Sequence, residues 1–186
     1  MEGEITLPTG DVVSIWGFTD SATGPADLPG PTLVVSQGEK VEVTLHNMLP
    51  HTVSLSFPGQ FMMPDLDGIP TGATRTYTFT ADAAGTQSYE AGLTPNGARQ
   101  VAMGLFGALV VRPAAPGQAY ESPGSAFDDE ALLVVSEIDP DFNADPLNFP
   151  MEQFSPEFWL INGQAYPDTP SIPTAAGNRL LLRVLN

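Results

Sequence analysis

The sequence predicts an all-β protein, and three observations carry that expectation. The chain has 18 Gly and 19 Pro in 186 residues, well above the roughly 12% that these two make up in an average protein. Hydrophobic residues still reach 42%, so this is a globular chain that turns often. Its clearest periodicity is two: Thr74, Thr76, Thr78 and Thr80 share one face, Tyr77 and Phe79 the other. A helix there would need apolar residues three and four apart, and there are none. Finally, Leu105 to Val111 (LFGALVV) is a nearly unbroken apolar run, as expected of a strand buried on both faces.

Taken in order, Asp11–Phe18 is β-branched and aromatic and reads as the first strand, which Pro29-Gly30-Pro31 separates from the next. Thr32–Val35 and Lys40–Asn47 follow, joined by Ser36-Gln37-Gly38-Glu39, where Gly38 is expected at positive φ. In the second of these, Val41, Val43 and Leu45 alternate with Glu42, Thr44 and His46, a half-buried strand with His46 on the wet face. Val53–Phe57 and Arg75–Ala81 continue the pattern to Leu105–Val111. Pro113–Gly124 (PAAPGQAYESPG) then reads as a linker. Beyond it, Ala131–Ile138, Phe158–Ile161 and Leu180–Leu185 are strands. The expected division is therefore a first unit over 1–113, a linker over 114–130 and the opening strands of a second unit over 131–186. Three strands cannot close a sandwich of about seven, so the second unit is expected to be incomplete and the natural chain longer. Each half enters a hydrophobic strand through a glycine, Gly38 before Val41 and Gly177 before Leu180.

Composition excludes several functions. Six Lys and Arg against 22 Asp and Glu leave a formal net charge of −16, which argues against nucleic-acid backbones and anionic membrane surfaces as partners. Lys40 is the only lysine, and Pro113 to Asn178 holds eleven acidic residues with no Lys or Arg. No cysteine is present, so disulfides, thiolate metal sites and cysteine nucleophiles are all excluded. No apolar run approaches the roughly 20 residues of a membrane span. The N-terminus, Met1-Glu2-Gly3-Glu4, is acidic where a signal peptide would be basic.

Candidate sites are few. His46 and His51 flank Asn47-Met48-Leu49-Pro50. A two-histidine metal site needs a third ligand, and the two read as solvated surface side chains. Asp65-Leu66-Asp67-Gly68 opens like a calcium loop but lacks the later ligands, so it reads as a turn, and nothing gives its two aspartates the distinct environments of an acid/base pair. Met48, Met62, Met63 and Met103 could form a thioether site for Cu(I), though methionine more often fills a core. No serine has a histidine placed to activate it, and no phosphate-binding glycine loop is present.

Several segments together resemble the first domain of the multicopper oxidases of laccase type. Leu28-Pro29-Gly30-Pro31-Thr32 followed by Gly38-Glu39-Lys40-Val41-Glu42-Val43 resembles the family's PGPT…GD-V-V opening, and Asn47-Met48-Leu49-Pro50 its N-x-L-P. Asp67-Gly68-Ile69-Pro70 is similar to DG-V-P, and Phe79-Thr80-Ala81 with Gly85-Thr86 to F-x-A…PGT. Gln100–Val111 (QVAMGLFGALVV) closely resembles QVAMGLYGALIV. The likeness covers about residues 28–113, and 158–186 resemble the start of the family's next domain. It implies a cupredoxin-like Greek-key β-sandwich, a copper-dependent oxidoreductase as the parent activity, and an extracellular or periplasmic location.

The departure from the family is equally specific. Members carry H-x-H-G after N-x-L-P and Y-H-x-H after PGT, and those histidines hold the type 2 and type 3 coppers. Here the motifs read Ser56-Phe57-Pro58-Gly59 and Tyr89-Glu90-Ala91-Gly92, so Ser56, Pro58, Glu90 and Gly92 stand at the histidine positions. A type 1 copper requires a cysteine. The sequence therefore predicts no catalytic, cofactor-binding or metal residues in this chain, and copper only in the family at large. Tyr89 and Phe57 are expected to pack where the family's metal-site strands pack, with Glu90 a solvated carboxylate at a vacated site. The expected partner is the remainder of a longer chain or a second copy, with neither nucleic acid nor membrane.

Overall fold

The computed structural model describes residues 1–186. Twelve strands run in the order β1 Glu2–Thr6, β2 Val12–Trp16, β3 Gly30–Ser36, β4 Lys40–His46, β5 Leu55–Ser56, β6 Thr74–Thr80, β7 Gly85–Ala91, β8 Phe106–Arg112, β9 Asp129–Ile138, β10 Phe158–Ile161, β11 Gln164–Ala165 and β12 Leu180–Leu185. Two short helices, α1 Gly97–Ala102 and α2 Pro140–Ala144, interrupt them. Every strand expected from the sequence forms. β1, β7, β11 and both helices come in addition, in segments whose apolar pattern is too short or too weak to read.

One sheet has the order β3-β8-β7-β5 and faces the pair β4-β6. The alternation in β6 works as the period implies: Val41 and Val43 of β4 stand opposite Phe79 and Tyr77, while Thr44 and Thr76 bond through their hydroxyls at 2.8 Å on the wet face. β8 is buried at five consecutive positions, Gly107 to Val111, because it lies between β3 and β7 with layers on both faces. β3 and β4 are joined by only the tight loop at Gly38, yet they do not pair; β3 runs parallel to β8 and β4 antiparallel to β6. The loop carries the chain from one layer to the other, and Gly38 takes φ +82 there. Gly177 repeats the device at φ +92 before β12.

The third sheet has the order β11-β10-β9-β12, with β12 parallel to β9. Between β9 and β10, α2 begins at a well-formed cap. Asp139 accepts hydrogen bonds from the amides of Asp141 at 3.0 Å and Phe142 at 3.2 Å, and also from Ser155 at 2.8 Å, and Pro140 supplies the pre-set φ of the first helical position. The cap aims Phe142 into the main core, in one cluster with Trp16, Leu49, Tyr89 and Met103. Phe149 and Phe154 meet Phe142 edge-on at 5.7 and 5.4 Å. A smaller core joins Leu7 and Val13 of the β1–β2 end to Ile138, Leu160 and Ala165. In the segment expected as a linker, Ala119 is buried and Gln118 bridges to Ala126. No helix is long and apolar enough to cross a membrane.

Candidate functional site

The structure brings the two altered motifs side by side. β5 and β7 pair antiparallel with Ser56 opposite Glu90 and Leu55 opposite Ala91, and the amide of Gly92 donates to the Ser54 carbonyl at 2.9 Å. Leu55 and Ala91 are buried on the core side, so Ser56 and Glu90 share the opposite face. Glu90 is not the solvated carboxylate expected from the sequence. It is half-buried, accepts from Ser88 Oγ at 3.2 Å, and lines a cleft of about 330 Å³ with Phe106, Val101 of α1 and Ser136 of β9. Burial follows from α1 and β9, which cover that face of the sheet and have no counterpart in the sequence motif. Pro58 is exposed. A Cβ placed at Gly92 would lie 2.4 Å from Ser54 Oγ, so Ser54 has to turn before any side chain fits there.

The residues between these positions point into the core. Phe57 packs on Phe79 at 4.5 Å and Tyr89 at 6.2 Å between ring centroids. The Tyr89 hydroxyl donates to the Pro31 carbonyl at 2.6 Å, and burial raises its pKa. Its ring occupies space that Gly107 leaves free: a Cβ there would stand 2.4 Å from Tyr89 Cζ. That close approach accounts for the glycine inside the hydrophobic run of β8.

The other candidates disperse. Asp65 belongs to a fixed network rather than a cation loop. It accepts from Tyr77 Oη at 2.7 Å and the Gly68 amide at 2.9 Å and pairs with Arg75. Burial pushes its carboxyl up, but these donors outweigh it and leave the pKa below the ordinary value. Asp67 is exposed. Met103 is buried in the core and Met62 packs on it, whereas Met48 and Met63 stand exposed. No three His, Cys, Asp or Glu side chains gather as a metal-holding group.

Of the histidines, His46 is exposed at the end of β4, as its place in the alternation requires. His51 is not solvated, contrary to expectation. Its ring lies 4.3 Å from that of Trp16, and neither nitrogen has a partner or reaches solvent. Burial holds the imidazole below its usual pKa. Trp16 of β2 covers the ring, and Asn143 of α2 lines the same cleft as His51. Asn143 escaped the sequence reading, although Asp139-Pro140 ahead of it is a helix-start signal.

Comparison with known proteins agrees with this architecture. Residues 8–116 match the family model described as multicopper oxidase. The multicopper oxidase CTB12 of Cercospora beticola is 31% identical over 148 residues, which cover 73% of this chain and 23% of that protein. A copper-containing nitrite reductase of Alcaligenes xylosoxydans xylosoxydans is 32% identical over 120 residues, 60% of this chain and 35% of that protein. The chain thus spans about a quarter to a third of these relatives. The blue copper oxidase of Nitrosomonas europaea superposes with a TM-score of 0.83 at 23% identity, covering 98% of this chain and 57% of that one. With the family model covering most of the first two layers and the cupredoxin sandwich in place, the chain belongs to the multicopper oxidase family.

Proposed function

We propose that this chain is a structural portion of a multicopper oxidase that binds no copper itself, the parent protein being a copper-dependent oxidoreductase of laccase type. The observation that carries the reading is the donor set on β5 and β7. At the four positions that resemble the family's histidines stand Ser56, Pro58, Glu90 and Gly92. Proline and glycine have no side-chain ligand atom, a serine hydroxyl is a poor ligand for copper, and a single half-buried carboxylate does not replace an imidazole set. With no cysteine in the chain, a blue copper–thiolate centre has no sulfur to use. These residues do not fit copper, and no catalytic step is assigned to them.

A partner follows from the outer face of the third sheet. Trp159 and Ile161 of β10 and Leu182 and Val184 of β12 are exposed there, on the two strands that flank β9. Contiguous exposed apolar surface marks an interface. The chain's short span relative to CTB12 favours further polypeptide of the same protein as the cover, with a second copy as the alternative.

The test is metal analysis of chelator-washed chain after incubation with Cu(II), read with the visible spectrum and the oxidation of a phenolic substrate. The expected result is substoichiometric copper, no intense blue absorption and no turnover. One tightly held copper per chain overturns the reading. For the parent protein, the intact mass and the sequence beyond residue 186 decide: H-x-H motifs and a cysteine there support the oxidase, and their absence favours a cupredoxin-fold binding or structural module without redox activity.

A further inference from the structure

We propose that residues 170–176 form a strand edge that receives an extended apolar segment of further polypeptide of the same protein, running parallel to it as β8 runs to β3. The occupant rests on the reading of this chain as a portion of a longer protein. The edge itself rests on a repeat within the chain.

The two halves match at a constant offset of 139 residues. Pro31, Leu33, Gly38, Lys40, Val41 and Asn47 correspond to Pro170, Ile172, Gly177, Arg179, Leu180 and Asn186. The structure repeats with the sequence. The Glu39 amide donates to the Ser36 carbonyl at 3.0 Å, and at the same offset the Asn178 amide donates to the Ala175 carbonyl at 3.1 Å. Both turns place their glycine at positive φ, +82 and +92. The Ser36 amide donates to the Glu39 carboxylate at 2.8 Å, and its counterpart, the Ala175 amide, donates to the Asp129 carboxylate at 3.4 Å. Residues 170–176 therefore enter β12 as β3 enters β4.

The neighbour differs. β3 lies beside β8, with Leu33 to Ser36 opposite Leu109 to Arg112. No strand pairs with 170–176. All seven residues are exposed, and the amides of Ser171, Ile172, Thr174 and Ala176 have no partner. The amides of a strand alternate between its two edges. The Gln37 amide donates to the Arg112 carbonyl at 2.8 Å, so those of Leu33 and Val35 face β8 too, and those of Val34 and Ser36 face away. By the same offset, Ile172, Thr174 and Ala176 aim their amides at the unpaired side. Pro173 stands at the position of Val34, where a missing N–H costs no pairing on that side. Asp129 already holds the segment in shape, accepting from Thr174 Oγ1 at 2.7 Å and Asn178 Nδ2 at 2.9 Å, which lowers the ordering cost of docking.

β8 sets the chemistry of the occupant, being apolar and buried from Gly107 to Val111. Leu33 packs on the main core, whereas its counterpart Ile172 is 37% exposed. Backbone bonds along an edge, with alternate side chains covered, are the mode of strand addition. A second copy has no such strand to lend, because its β8 is already paired between β3 and β7. The chain spans 23% of CTB12, which favours further polypeptide.

The test uses the whole isotope-labelled chain, read by amide NMR, and a synthetic peptide of sequence Leu105–Arg112 with a spin label at its N-terminus. The expected result is saturable binding. Exchange of the Ile172, Thr174 and Ala176 amides slows by about tenfold, as gain of a hydrogen bond provides, and the label broadens Ser171 rather than Gly177. Ile172→Pro removes an N–H on the pairing side and is expected to weaken binding by about tenfold. Ile172→Ala keeps that N–H and is expected to weaken it less. Ser171→Pro, whose N–H faces the other edge, is expected to leave it unchanged. No saturable binding, broadening at Gly177, or equal loss in the Ser171→Pro variant overturns the proposal. Protection of the three amides without peptide, rising with protein concentration, assigns the edge to a second copy and overturns the occupant. Copper uptake moves none of these readouts, so this inference and the copper-free reading fail separately.

Discussion

Glu130 sits between two guanidiniums: Arg112 Nη2 donates to it at 2.6 Å and Arg183 Nε at 2.5 Å. Arg183, with its side chain 3% exposed, also donates through Nη1 to Thr86 Oγ1 of β7 at 2.8 Å, so this cluster ties the third sheet to the first. Burial pushes the Glu130 carboxyl up, but the two arginines outweigh it and hold its pKa below the ordinary value. A carboxyl depressed in the folded state stabilises fully above the unfolded value, about 4.3. That contribution fades as pH falls through the lower folded value. Glu130→Gln is expected to cost about 3 kcal/mol at neutral pH, the low end for breaking a buried pair, and to flatten stability against pH below about pH 4. Denaturant titrations across pH measure both. Tyr77→Phe acts on the other network: it removes the hydroxyl that donates to Asp65 at 2.7 Å and accepts from the Leu55 amide at 3.2 Å. The expected cost is about 1–3 kcal/mol, with the Asp65 pKa moving back up in a carboxyl NMR titration.

At the scale of elements, α2 has only five residues and cannot be stable by propensity alone. Its side chains hold it: Phe142 is fully buried in the main core, and Asn143 bonds to Ser14 of β2. Phe142→Ala is expected to destabilise the whole chain by about 3–5 kcal/mol. If residues 131–186 contributed nothing to the first core, the denaturation midpoint of strands β3–β8 would stay unchanged. β12 shows how register distributes its residues. Its buried position is Arg183, opposite Leu132 of β9, while Leu182 and Val184 on either side face outward.

The whole molecule is a polyanion of net charge −16, and only five ion pairs offset it. Self-repulsion destabilises the compact state and is screened over about 30 Å at 0.01 M salt but about 3 Å at 1 M. The melting temperature is therefore expected to rise with sodium chloride; a flat response would mean that local pairing already balances the charge. Screening also exposes the consequence of the apolar outer face on β10 and β12. In high salt the 186-residue chain is expected to self-associate in light scattering, and Trp159→Lys with Val184→Lys to keep it monomeric. A monomer at every concentration would remove the case for an interface on that face.

Residue order alone specified the strands with a clean signal. A period of two in β4 and β6 and a solid apolar run in β8 each encode how many faces of a strand are covered, and that is a local property of spacing. It also determined the altered donor set, because the absence of cysteine and the identities at 56, 58, 90 and 92 are facts of composition and order. What surrounds those residues follows from how distant segments pack. β7 reads Gly-Thr-Gln-Ser-Tyr-Glu-Ala, too polar to announce a strand, and becomes one because β8 and β5 satisfy its backbone on both sides. His51 looks like a surface residue until Trp16, distant in sequence, lies against its ring. Arg183 looks like an outward charge in an apolar strand until β9 presents Glu130 and β7 presents Thr86. Burial of a polar group depends on which remote segments arrive to cover and pair it, and no local pattern carries that information.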